Sequence, residues 1–547
     1  MKWLRLVFVA AVASLLVTGC GGCGEVAGAG ESCDPDVEQP CEDADHELVC
    51  IDDEDGDHRC LHPVGGSCDG DADQNLCPPD TSCSEDGDGD SRCLVEESAE
   101  CDPDDDHCAD GLACEEIDGD DEEYQCHPEI SVRGYVFDME TEEAIEGAHV
   151  VAFDEERSAL SDVAVTDEDG IYEMTVPALR DEDGEPDQVF TLRVDAQDYQ
   201  TFPSGLRQAQ PIDAGNYEEE DGRWVIDTAQ TDVGLLELPE GERGYPAISG
   251  RVDIEGGLSS VLVVAEPQGV DFEGEEDALG FSAVTGLDGS FTIFNVPPDD
   301  YDVRGYRAGY QIEPEQVAMD DEEVDDVVLV RADESTTDVI GSIQIVRGEG
   351  ETSVMLMTAA TFDEFLVRGE VPKGLVAEGI DGGWQIDDVP AGQYVVMAGF
   401  ENDGIVRSPD EGMAGTDIVY IEVPAGDEEL DTGESFKATP ALPTIGPGED
   451  RPEALSEPPT LEWTSGSHSN SDWYDIQVFD AFGNIVFEEE EFEHFGGSGQ
   501  EFDLEYDGEF EEGMYYQFRV TAFRESGGSA TPVSSTEFLR GVFYHEP

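Results

Sequence analysis

Asp288-Gly289-Ser290-Phe291-Thr292-Ile293, followed at once by Asn295-Val296-Pro297, is the stretch that decides the fold. An aspartate–glycine pair is a tight-turn signal, expected here to close a hairpin. Phe291 and Ile293 are two apart, the spacing that sets both side chains on the core face of a strand. Proline then ends the strand where no ladder donor is needed. The same order returns in Asp381-Gly382-Gly383-Trp384-Gln385-Ile386 with Asp388-Val389-Pro390, and a tyrosine stands four residues after each proline, Tyr301 and Tyr394. An earlier copy, Asp169-Gly170-Ile171-Tyr172, leads to Met174 and Val176. Short alternating runs between turns, repeated along a chain, predict an all-β protein made of a string of β-sandwiches.

Each copy is preceded by a short apolar strand with an internal glycine: Val132, Gly134 and Val136; Ile248-Ser249-Gly250-Arg251-Val252; Ile340-Gly341-Ser342-Ile343. On these residues the three segments 129–240, 245–332 and 336–440 resemble carboxypeptidase regulatory-like domains, transthyretin-like β-sandwiches of the wider carbohydrate-binding-like group. The first carries the resemblance through Gly134-Tyr135-Val136-Phe137-Asp138, Ile145-Glu146-Gly147-Ala148 and the Asp169 turn, and the second through Gly305-Tyr306-Arg307-Ala308-Gly309-Tyr310. The third lacks the Gly-Ala-x-Val step. The resemblance implies a fold rather than an activity. In peptidases such modules accompany a catalytic domain, and this sequence holds no HExxH, Gly-x-Ser-x-Gly or Walker loop.

Gly446 to Pro459 reads as a Pro/Glu-rich linker. Beyond it, Leu461-Glu462-Trp463, Tyr474-Asp475-Ile476-Gln477-Val478 and Tyr516-Gln517-Phe518-Arg519-Val520 alternate with period two. Residues 455–547 resemble a fibronectin type III domain, which implies Trp463 as its buried tryptophan and Tyr516 as a tyrosine-corner candidate. The acidic run Glu488 to Glu491 suits a strand edge, where it discourages pairing with another chain.

At the other end, Lys2 and Arg5 precede an apolar run from Leu6 to Leu16, too short for a comfortable membrane span. Val17-Thr18-Gly19-Cys20 follows and resembles the lipobox of bacterial lipoproteins. That resemblance implies a signal peptide over 1–19, lipidation of Cys20, and a membrane partner reached only through the acyl chains. Gly21 is not the aspartate that retains such proteins in the inner membrane, which favours the outer membrane, at its periplasmic or cell-surface face. Residues 20–31 are a tether containing Cys23.

Twelve further cysteines fall in residues 32–128 as three groups of four: Cys33, Cys41, Cys50, Cys60; Cys68, Cys77, Cys83, Cys93; Cys101, Cys108, Cys114, Cys126. Units of this size bury too little apolar surface to fold unaided, and in an oxidising envelope disulfides supply what is missing. Two disulfides per group are expected, with all three pairings open. Zinc is disfavoured because no CxxC…CxxC spacing occurs. Asp53, Asp55 and Asp57, and again Asp86, Asp88 and Asp90, have the 1-3-5 spacing of a calcium loop but lack its glycine at position six. These departures favour a solvated acidic turn over a calcium site, and no other cofactor is expected.

Asp plus Glu number 134 against 24 Lys plus Arg, a formal charge of −110. Such a surface repels nucleic acid and anionic lipid heads. With 38% hydrophobic residues in alternating runs, the charge reads as adaptation to high salt rather than as disorder. The leading expectation is a non-enzymatic structural, adhesive or protein-binding scaffold with a protein or glycan partner at the cell envelope. One alternative is carbohydrate binding, which predicts solvent-exposed aromatic platforms; it weakens if the Trp384 and Tyr394 rings are buried and no other aromatic pair is exposed on a face. The other is an accessory module of an enzyme or an unrecognised hydrolase. His149, within a strand, is expected to be structural or a surface residue.

Overall fold

The computed structural model describes residues 32–33, 41, 48–52, 58–68, 76–85, 90–103, 107–117, 123–154, 159–181, 184–203, 207, 209–220, 223–254, 258–270, 272, 279–286, 288–320, 322–345, 352–363, 369–400, 403–406, 418–426, 429–438, 440–449, 451–466, 471–493, 497–508, 510–526, 529–537 and 540–545. Among them strands dominate, and the one helical element is a single 3-10 turn, Ala359–Thr361. No helix among these residues is long and apolar enough to cross a membrane. The chain divides into two units: the cysteine-rich repeats through Cys114 with Tyr124–His127, and Glu115–Glu123 with Pro128–Pro547.

The first unit is built from two-stranded sheets. Val49–Asp52 pairs antiparallel with His58–Leu61, and Thr81–Glu85 with Ser91–Val95. In both, two cysteines face each other across the strands, Cys50 opposite Cys60 and Cys83 opposite Cys93. Neither pair is bonded to itself. Six disulfides form, and in every repeat the first cysteine joins the third and the second joins the fourth. The interleaved bonds tie each strand of the hairpin to the segment before it. The loops closed span 13 to 19 residues, so each cross-link removes on the order of 3 kcal/mol of unfolded-chain entropy.

The second unit contains three sandwiches of one design. In each, an opening strand lies between two partners: Ile130–Asp138, Ile248–Val252 and Thr337–Ile345. One partner is antiparallel and follows the Asp-Gly turn: Ile171–Val176, Ser290–Ile293 and Gly383–Val389. The other is the closing strand, and it runs parallel: Arg223–Ile226 with Val233–Leu235, Val324–Leu329, and Leu430–Ala438. A second sheet faces this one, centred on His149–Phe153 and Val189–Asp195, on Leu262–Pro267 and Asp300–Tyr306, and on Thr352–Thr358 and Gly392–Phe400. The glycine of the opening strand is needed where the closing strand crosses it. A Cβ on Gly134 would sit 2.0 Å from the Thr231 carbonyl oxygen, and one on Gly250 2.0 Å from that of Val327.

The Asp-Gly turn does not close a hairpin, which corrects the sequence expectation. It carries the chain from one sheet to the facing one: Phe281–Val284 pairs with Leu262–Pro267, whereas Ser290–Ile293 pairs with Ile248–Val252. Both flanking strands therefore point apolar residues into one core from opposite sides. Phe291 and Ile293 are buried, as are Trp384 and Ile386, and Tyr172 and Met174. The tyrosine four residues after each proline turns back on it. Tyr301 donates to the Pro297 carbonyl at 3.0 Å, and Tyr394 to that of Pro390 at 2.8 Å.

The fourth sandwich begins earlier than the sequence suggested. Thr444–Gly446 pairs with Thr460–Thr464, Glu453–Leu455 pairs with Val542–His545, and Leu442 is in the core, so most of the expected linker belongs to the domain. Trp463 is fully buried against Tyr474, Phe492 and Phe502. The Tyr516 hydroxyl accepts the Glu511 N–H at 2.8 Å. Ile485–Glu493, with its glutamate run, is the terminal strand of its sheet.

Candidate functional site

The strand Val189–Asp195 alternates, so Phe190, Leu192 and Val194 fill the first core while Arg193 and Asp195 stand on the outer face. On an isolated sandwich both would be solvated. Here the second and third sandwiches cover them, and Arg193 keeps 4% of its exposure. Its Nε donates to Asp195 at 2.8 Å, its Nη2 to the carbonyl and hydroxyl oxygens of Ser282, both at 3.1 Å, and its Nη1 lies 2.9 Å from Glu370. One guanidinium thus has partners in three sandwiches. Burial alone would disfavour its charge, but Asp195 and Glu370 outweigh that and hold the proton firmly.

A cavity of about 290 Å³ opens beside this brace. Asp195 and Thr201 of the first sandwich, Phe281 and Phe294 of the second, and Asp363 and Glu370 of the third line it with Arg193. Asn295 fixes the wall. At a φ of 59° its amide donates to the carbonyls of Ala196 and Tyr199 at 3.0 and 3.1 Å and accepts the Asp198 N–H at 2.7 Å. His149 lies edge-on to Phe294 at 5.0 Å, and burial lowers its pKa.

Other charges are buried as well. Arg207 donates from Nε and Nη2 to the Phe482 carbonyl of the fourth sandwich at 3.2 and 2.9 Å, and burial lowers its pKa to about 10. Arg180 donates from Nε to Glu115 at 2.5 Å and from Nη2 to the Pro128 carbonyl at 2.8 Å, with its guanidinium over the Trp224 ring. Burial pushes Glu115 up to about 7 against the pull of Arg180. Between the second and third sandwiches Tyr306 bonds Glu266, Arg304 lies 3.0 Å from the same carboxylate, and the Tyr306 ring meets Tyr394 edge-on. One apolar cluster spans the first three sandwiches, taking in Phe153, Val264, Tyr306, Met357 and Tyr394.

Cys20, Cys23, Asp53, Asp55, Asp57, Asp86 and Asp88 lie outside the described residues; Asp90 is exposed. In the second repeat the sulfurs of Cys68, Cys77 and Cys93 lie within 4.8 Å of one another, close enough for a metal, but each is committed to a disulfide. Trp384 and Tyr394 are buried and offer no platform. Sequence reasoning missed Arg193, Asp195 and Glu370. The available signal was an arginine in an otherwise regular strand of a chain with 24 basic residues in 547.

No protein-family model matches the chain, and no curated protein does. Solved structures with some likeness include a streptococcal ancillary pilin, 11% identical over 57% of this chain and 99% of that one, with a TM-score of 0.17. BcpA, the major pilin subunit of Bacillus cereus, is 11% identical over 56% and 99%, at a TM-score of 0.16. The Bacillus anthracis TIE protein is 8% identical over 80% and 74%, at 0.14. At these scores the likeness says nothing about activity or partners.

Proposed function

We propose that this chain is an exported, lipid-anchored and non-enzymatic scaffold that displays binding surfaces at a cell envelope, outer membrane included, with an acidic surface suited to high salt. The observation that carries the scaffold reading is the use of Arg193 to join three sandwiches, seconded by Arg207 on the fourth. Buried charges are costly unless fully paired, and here the pairing fixes the domains on one another. The shared strand order supports regulatory-like domains for the first three sandwiches, and buried Trp463 with the Tyr516 bond supports a fibronectin type III-like fourth. The lipobox resemblance supports the anchor. Burial of Trp384 and Tyr394 meets one of the two conditions that weaken a carbohydrate reading.

Limited proteolysis of the whole chain tests the scaffold: braced sandwiches resist cutting at their junctions, whereas release of single sandwiches at the first time points refutes it. Metabolic labelling with an alkynyl fatty acid tests the anchor. Label should appear on the native chain and vanish in Cys20→Ala; equal labelling of both, or none, rejects it.

A further inference from the structure

We propose that the turn Arg307-Ala308-Gly309-Tyr310 of the second sandwich, with Arg331 beside it, binds a tetrahedral oxyanion, a sulfate or phosphate group. The site shares no residue with the Arg193 brace and stands or falls without it. The Tyr310 N–H closes the turn on the Arg307 carbonyl at 3.3 Å, and Gly309, third in the turn, has the positive φ, 81°, to which glycine is suited. The third sandwich holds the turn in place. Ala308 and Gly309 donate their N–H groups to the Lys373 and Asp388 carbonyls, both at 2.9 Å, and the Gln311 side chain accepts the Ala391 N–H at 2.8 Å. The Arg331 backbone is held as well, bridged to Ile312, while the Ala332 N–H donates to the Gln311 carbonyl at 2.8 Å.

Both guanidiniums lie over one ring, Arg307 at 5.5 Å and Arg331 at 5.4 Å from the Tyr310 centroid. Neither forms an ion pair with a described carboxylate. Arg307 donates from Nη1 to the Ser259 carbonyl, and Arg331 is exposed. Asp388 accepts the Thr336 hydroxyl at 2.8 Å, while Glu313 and Asp333 are exposed and pair with neither arginine. Elsewhere Arg133, Arg180, Arg193, Arg223, Arg251 and Arg304 each meet a carboxylate. In a chain with 24 basic residues against 134 acidic ones, two unpaired guanidiniums on one ring are an exception, and an anion between them relieves their repulsion. A guanidinium over a ring face keeps its edge free, and that edge presents parallel N–H donors matched to two oxygens of one anion. Two such edges suit a group with several equivalent oxygens and two charges better than a single carboxylate. Lys373, whose carbonyl receives the turn, adds a third basic residue to the contact. The group can arrive as the free ion or as an ester on a sugar.

The test titrates the full chain calorimetrically in about 1 M NaCl, where a Debye length of roughly 3 Å screens the repulsion between the acidic surface and an arriving anion. The probes are inorganic sulfate, inorganic phosphate, glucose 6-sulfate, glucose 6-phosphate, acetate and glucose. Saturable binding of one equivalent of a sulfate or phosphate probe is expected, weakened roughly tenfold in Arg307→Gln and in Arg331→Gln. Arg524→Gln, which removes an equal charge from the fourth sandwich, should bind like the parent. Arg331 is exposed, so its variant should keep the parent's unfolding temperature and report on the site alone. Tighter binding of a glucose ester identifies a group carried on a sugar; equal or tighter binding of the inorganic ions identifies the free ion. The inference is overturned by absence of saturation, by acetate or glucose binding as tightly as sulfate and phosphate, by parent affinity in Arg331→Gln, or by the same loss in Arg524→Gln. Junctions that resist cleavage in a chain that binds no oxyanion sink this inference alone, and early release of single sandwiches sinks the scaffold.

Discussion

Arg193 of the first sandwich and Glu370 of the third face each other at 2.9 Å across a junction that the second sandwich also enters. The two partners are unequal. Arg193 is buried to 5% of its side chain, whereas Glu370 keeps 33%. Removing the arginine leaves Asp195 without its main counterion, so Arg193→Met should cost about 3–5 kcal/mol. Glu370→Gln, next to solvent, should cost about 1 kcal/mol or less. Denaturant unfolding of both variants checks the order; equal losses would show that burial does not govern the brace.

The opening-strand glycines make a second case. Gly134→Ala forces a methyl group onto the Thr231 carbonyl oxygen, in the turn between the two closing segments, and Gly250→Ala onto that of Val327 in the closing strand. The strands must part, at a cost of about 1–3 kcal/mol. Gly147→Ala, at a positive φ of 78° but with nothing within 4 Å, should lose less. Thermal unfolding ranks the three.

Asp232 supplies a pH dependence. Its carboxylate accepts the Tyr135 N–H at 2.9 Å, and burial pushes its pKa from 3.8 up to about 6. The folded state therefore holds the proton more tightly than the unfolded chain. The stabilisation this provides is fully present below 3.8 and is lost as pH rises through 6. Asp232→Asn keeps the acceptor without the charge. It should be more stable than the parent by about 1 kcal/mol at neutral pH and no more stable near the unfolded value. Paired urea titrations across that range measure the difference, and a constant offset would contradict the sign.

The repeats and the sandwiches should part company under reductant. Opening six disulfides removes the main support of the cysteine-rich region, while the second unit contains none. Proteolysis in dithiothreitol should degrade residues before 128 and spare a fragment of the remainder. Survival of the repeats would mean that their small cores suffice.

Salt should stabilise the whole chain. Raising ionic strength from about 0.1 M to about 1 M shortens the Debye length from roughly 10 Å to roughly 3 Å and quiets repulsion among surface carboxylates. The unfolding temperature should rise with NaCl over that range. A flat or falling curve would remove the reading of the charge as salt adaptation.

Much of the sandwich design was legible because it is local. Phe291, Ile293, Trp384 and Ile386 announce a core face by spacing alone, and Tyr301 and Tyr394 stand where a hydroxyl reaches back to a proline carbonyl. The crossing between sheets was not legible, since a turn looks the same whether its strands pair with each other or with distant partners. Disulfide pairing was hidden too, because Cys50 and Cys60 lie opposite each other yet bond elsewhere. Arg193, Ser282 and Glu370 lie up to 177 positions apart, and no local rule connects them.

The parallel pairing of first and last strands in three sandwiches has a mechanical consequence. The chain enters each of these domains at one end of that pair and leaves at the other. A pull on the flanking chain drags the two strands lengthwise past each other, so their hydrogen bonds bear the load together rather than opening one by one like a zip. Along the line joining its entry and exit, each of the first three sandwiches should therefore yield only at high force.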